Sequence, residues 1–222
     1  GWYRRQRQMC IRDRLNRDQA LYFGTTLSII SVFSLYYFTN AISAFLLFFT
    51  IFFYLFIYTI WLKRRTPQNI VIGGAAGALP PVIGWTIATN SLSFEPLVFF
   101  LIIFVWTPSH FWALSLYKAK DYKKAKIPML PITNGIEDTK KNIFIYSLLM
   151  LPTVVLPYAI GFTSELFLTL GLTLTIYYNY LCFKLYNYKK NKFEIKIAKQ
   201  IFAYSIFYLF LIFVLFLIDK LI

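Results

Sequence analysis

The chain has 222 residues, 59% of them hydrophobic and 21% aromatic, against only 14% charged, and its formal net charge is +14. Ordinary globular domains are roughly 45–50% apolar and about 25% charged, so a water-soluble domain of this length is excluded. Two cysteines (Cys10 and Cys182) and one histidine (His110) exclude a disulfide framework and a multi-histidine metal centre.

The first residues, Gly1 to Arg14, fit nothing downstream. The run from Arg4 to Asp13 resembles the translation of a common transposase sequencing adaptor, which makes residues 1–14 an expected non-native segment. An ordinary basic tail beside the membrane is the alternative. Seven apolar stretches follow, each near the roughly 20 residues that a bilayer-spanning helix needs. They predict helices at about 20–38, 41–60, 70–89, 96–116, 143–161, 165–183 and 199–218. Thr39-Asn40, Thr66-Pro67 and the stretch from Thr89 to Pro96 supply turn chemistry between them.

Lys and Arg set the orientation. With the gaps numbered alternately from an inside N-terminus, 17 of the 18 basic residues beyond residue 14 fall on the inside, and only Lys220 falls outside. The basic excess is then topology plus attraction to anionic lipid, and it needs no nucleic-acid partner. The loops at 61–69, 117–142 and 184–198 are expected on the cytoplasmic face of a bacterial inner membrane.

Two inside segments carry candidate chemistry. The first holds Tyr58, then Lys63, Arg64 and Arg65, then Asn69. Such cations either anchor the membrane face or clamp an anion, since both side chains bind phosphate oxygens. The second is a loop from Lys118 to Pro131, in which Asp121 stands as the only acid among five lysines, next to Tyr122. Asp121 is either half of a surface ion pair worth little or a magnesium ligand beside a diphosphate. His110, in Trp106-Thr107-Pro108-Ser109-His110-Phe111-Trp112, is placed near the inner end of the fourth span. It is either hydrogen-bonded to a neighbouring helix or in contact with a ligand. Gly73, Gly74, Gly77, Pro80, Pro81 and Gly84 form a small-residue stripe with a break, which predicts close packing and a kink.

These motifs together resemble the haem O synthase branch of the UbiA-type intramembrane prenyltransferases. Its carriers are Tyr58-Thr59, Leu62-Lys63-Arg64, Asn69 to Gly74, Pro80 to Trp85, Trp106 to Leu114, Asp121-Tyr122 and Ile127 to Pro131. The resemblance implies an all-α bundle of nine helices around a lipid-facing cavity, with seven of them here. It also implies farnesyl transfer from farnesyl diphosphate to a vinyl group of haem b, assisted by Mg2+, with haem A synthase as a further partner. Asp121 would then sit near magnesium and diphosphate. Lys63, Arg64 and Lys118 would contact diphosphate, His110 would lie on the haem side, and Asn69, Tyr58 and Tyr122 would help bind substrate. Residues 15–222 would form the membrane domain without its first two helices and first acidic motif, and this chain alone is expected to be inactive. Ala125, four residues after Asp121, stands where other UbiA-type enzymes often carry a second Asp. The rival readings are another aromatic prenyltransferase of the same type, a transporter, and a non-catalytic membrane protein.

Overall fold

The computed structural model describes residues 16–188 and 191–221, and every regular element in it is helical. The segment read as adaptor-derived lies outside the described residues. Among the described residues seven helices are long and apolar enough to cross a membrane, as hydropathy predicts. They are α1 (Arg17–Phe38); α2 (Ala41–Phe52), continued without a break by a π-helix (Phe53–Leu62); α3 (Asn69–Ala78) with α4 (Pro80–Thr89); α5 (Glu95–Lys124); α7 (Ile136–Ala159); α8 (Glu165–Asn187); and α9 (Asn191–Leu221). A single turn, α6 (Leu130–Thr133), joins α5 to α7.

Local chemistry fixes the ends. Asn40 caps α2 by accepting from the Ser43 amide at 2.8 Å, and its own amide donates to the Thr86 carbonyl at 2.7 Å, tying α2 to α4. Pro80 opens α4 where its missing N–H costs nothing, which produces the break expected in the small-residue stripe. Asn90 ends α4 in the left-handed region, at φ 54°.

α5 is the central column: it packs against α3, α4, α7 and α9, and α8 bridges α7 and α9. Trp112, Ile143, Phe167, Tyr178 and Tyr208 are fully buried in that core. Interhelical hydrogen bonds run through it, from Ser109 to Tyr178 (2.9 Å), Ser147 to Asn179 (3.0 Å) and Thr175 to Tyr208 (3.0 Å). In hydrocarbon such pairs hold helices together because no water competes for them. α1 packs on α2 and presents Leu21, Phe23, Ile29, Phe33 and Tyr37 outward.

Two expectations are corrected. The fourth span does not stop at residue 116, and Lys118 to Lys124 are helical rather than loop. Charge ends the apolar stretch, but lysine, alanine and aspartate do not end a helix. The chain turns only at Lys126, with φ 53°, just before Pro128. His110 is accordingly near the middle of a 30-residue helix, not near its end.

Candidate functional site

The ends of four helices meet at one pole of the bundle, rich in lysine. Lys140 donates to the Tyr188 carbonyl at 2.9 Å, and Lys199 lies 5.7 Å over the Tyr117 ring. These contacts join the ends of α5, α7, α8 and α9. At the opposite pole the Ser164 amide donates to Asp219 at 3.1 Å, and Trp85 donates to Ser93 at 2.9 Å.

The π-helix ends in the first cationic segment. Its wider turn is visible where the Lys63 amide donates to the Tyr58 carbonyl five residues back, at 2.8 Å. Tyr58 is half-buried and lies against α3 at Gly73, where a Cβ would sit 2.5 Å from the Tyr58 ring. Only glycine leaves room for that ring. The Lys63 amine lies 5.9 Å from the centroid of the same ring. Asn69, 1% exposed in the first turn of α3, donates to the Lys63 carbonyl at 3.0 Å. Its Oδ1 is buried with no hydrogen-bond partner. Arg64 is exposed in the turn beyond.

The second segment arrives on the last turns of α5. Lys118 and Asp121, one helical turn apart and both exposed, form an ion pair at 3.5 Å. Tyr122, next to Asp121, is half-buried and within electrostatic range of Tyr58. The structure therefore places Tyr58, Lys63 and Asn69 in one contact chain and Lys118 and Asp121 in a second. Among the described residues no group of three or more His, Cys, Asp or Glu side chains could hold a metal ion. What the site offers a cation is the single carboxylate of Asp121. That donor suits a magnesium ion held chiefly by phosphate oxygens, because Mg2+ commonly binds through one or two carboxylates plus substrate phosphates.

Below Tyr58 lies an apolar cavity of about 630 Å3 between the α2–π helix, α3 and α5. Tyr54, Tyr58, Trp106 and Phe111 give it aromatic walls, and Gly77, with nothing within 4 Å of where its Cβ would stand, leaves one side open. His110 is not among its lining residues. Instead it is 7% exposed, sandwiched between Trp106 and Phe202, and hydrogen-bonded through Nδ1 to Ser205 of α9 at 2.6 Å. Trp106 and Phe111 lay inside a motif recognised in the sequence, but nothing there separated the cavity-facing residues from the rest. Ser205 had only the signal of a lone hydroxyl in an apolar helix.

A model of the UbiA prenyltransferase family matches residues 4–211. The protoheme IX farnesyltransferase of Pelagibacter ubique is 74% identical over 207 residues, which is 93% of this chain and 68% of that protein. Its namesake in Parvibaculum lavamentivorans is 49% identical, over 93% of this chain and 65% of its own length. That of Rickettsia bellii is 46% identical, over 96% and 70%. The chain thus spans about two thirds of the length of these relatives. A solved structure from work on digeranylgeranylglyceryl phosphate synthase in membranes superposes with a TM-score of 0.75. It covers 93% of this chain and 71% of the solved one at 16% identity, a likeness of fold alone. The chain belongs to the UbiA prenyltransferase family, on the branch whose members are named protoheme IX farnesyltransferases.

Proposed function

We propose that the protein transfers a farnesyl group from farnesyl diphosphate to a vinyl group of haem b, giving haem O, at the cytoplasmic face of a bacterial inner membrane. The observation that carries this reading is the aromatic cavity directly below a cationic helix pole, beside Tyr58 and Lys63. A prenyl diphosphate has that same division, a hydrocarbon tail on an anionic head. The relatives' shared name supplies the acceptor.

Each residue then has a task. Lys63, Arg64 and Lys118 bind diphosphate oxygens, and Asn69 fixes the Lys63 backbone while keeping one acceptor unpaired for a donor of the bound complex. Lys118 leaves Asp121 for the diphosphate, which frees the carboxylate for the cation that the head group brings. Magnesium, when bound there, would neutralise charge on the departing diphosphate. As the allylic C–O bond breaks, its electron pair goes to the diphosphate oxygen, and fixed cations are worth most where charge develops. The farnesyl cation left behind faces Tyr54, Tyr58, Trp106 and Phe111, whose rings exclude water. The vinyl carbon attacks that cation with its π electrons, and the positive charge moves to the other former vinyl carbon; a water molecule admitted after the bond has formed adds there and loses a proton, leaving the hydroxyl of haem O. Haem A synthase, which would take the product, is proposed as a partner on the same reading.

With Asp121 as the one carboxylate among the proposed site residues, and with Glu137 at the same pole engaged by Lys140, this chain on its own is proposed not to turn over. The cytoplasmic orientation rests on the lysine and arginine asymmetry and on the meeting of Lys140, Tyr188, Lys199 and Tyr117 at one pole. Cysteine labelling from each side of sealed vesicles tests it: a cysteine placed at Asn134 should react only from the cytoplasmic side. Reaction only from the periplasmic side would reverse the topology and remove the site from its substrate.

A further inference from the structure

The Trp106 ring lines the cavity, yet its contacts behind the wall belong to α9, the last helix. Its indole N–H donates to the Ser205 carbonyl at 2.9 Å. His110, one turn along α5, stacks on it at 4.3 Å between centroids and 19° between planes. Phe202 closes the stack on the far side of His110, at 4.6 Å and 23°. The Ser205 hydroxyl donates to the Phe202 carbonyl at 2.7 Å. The same hydroxyl lies 2.6 Å from His110 Nδ1, a hydrogen bond whose direction follows the tautomer of the ring.

We infer that Ser205 is a positioning residue for the reaction: through His110 and the Trp106 indole it fixes the angle at which the Trp106 ring faces the allylic cation. The inference rests on the farnesyl-transfer reading. Three constraints act on one ring. The Ser205 carbonyl holds its N–H, His110 covers one face, and the Ser205 hydroxyl with Phe202 keeps His110 from turning. What remains for the cavity is the other face and its rim. Tryptophan is the best of the aromatic faces for a cation, and the attraction depends on the cation lying over the ring. Ser205 itself is fully buried and is not among the cavity's lining residues, so its effect on substrate must pass through Trp106.

The test compares two probes on the 222-residue chain in detergent. One is a farnesyl-chain ammonium compound that mimics the allylic cation, and the other is its neutral carbon isostere, each added with inorganic diphosphate. The wild-type chain should prefer the ammonium probe by roughly three- to thirty-fold, the range that a desolvated cation–ring contact supplies. Trp106→Leu should abolish the preference. Ser205→Ala and Ser205→Val should lower it at least about threefold, whereas Ser205→Thr, which has the shape of valine but keeps the hydroxyl, should retain it. A merely structural role would make Thr and Val behave alike. Retention of the full preference in Ser205→Ala, or equal wild-type affinity for the two probes, would overturn the inference and leave the farnesyl reading standing. Binding of neither probe by the wild-type chain would overturn that reading itself.

Discussion

The ring of Tyr58 fills the place where a side chain at Gly73 would begin, with 2.5 Å between its Cε2 and a Cβ built there. The contact joins the π-helix to α3 at the mouth of the cavity, and it places the Lys63 amine above the same ring. A substitution on either side therefore acts on the site as well as on packing.

Gly73→Ala should destabilise the chain. Alanine gains about 0.5–1 kcal/mol over glycine inside a helix, but forcing atoms into a filled space costs typically about 1–3 kcal/mol. Tyr58→Ala removes the obstruction, so the double variant should be more stable than Gly73→Ala alone. Unfolding of the three variants in mixed micelles checks this. Simple addition of the two single effects would mean that the ring and the glycine do not meet.

Asp121→Asn should separate stability from chemistry. Its ion pair with Lys118 is exposed on both sides, and such pairs contribute little to stability. The melting temperature should hardly move. In a catalytically complete chain, turnover should fall about a hundred- to thousand-fold, the usual loss when one charge-stabilising group at the leaving oxygen is removed. An Asn variant that works at the wild-type rate would take Asp121 out of the mechanism.

Lys140 makes the opposite case. Its side chain is fully buried, with the amine 3.0 Å from Glu137 and 2.9 Å from the Tyr188 carbonyl beyond the end of α8. Lys140→Met keeps the stem but removes a charged donor from that carbonyl, a hydrogen bond worth roughly 1.5–3 kcal/mol. The variant should lose that much stability while still binding a prenyl diphosphate. Unchanged stability would show that water replaces the amine.

Seven spans were legible because hydropathy alone sets them, and their short gaps left little freedom in order. The clustering of lysines and arginines in a few segments between spans was legible as well. The helical state of Lys118 to Lys124 was not, since the charges that mark a membrane boundary also suit a continuing helix. Nor was the π-helix at Phe53–Leu62, whose aromatic and β-branched residues would suit an ordinary α-helix equally well. His110 stood out as the one histidine of the sequence. Its pairing with Ser205, 95 residues later, depends on the rotation of α9 about its axis. A span with apolar residues on every side does not write that rotation into its pattern.

The central claim is the acceptor, and mass analysis of pigment extracted from membranes tests it most directly. The chain should be completed with the residues that the Pelagibacter ubique protein has outside the 207 matched ones, then supplied with haem b, farnesyl diphosphate and magnesium. The account predicts haem O from the extended chain and none from the 222-residue chain alone. Unchanged haem b alongside a prenylated quinone precursor would contradict it.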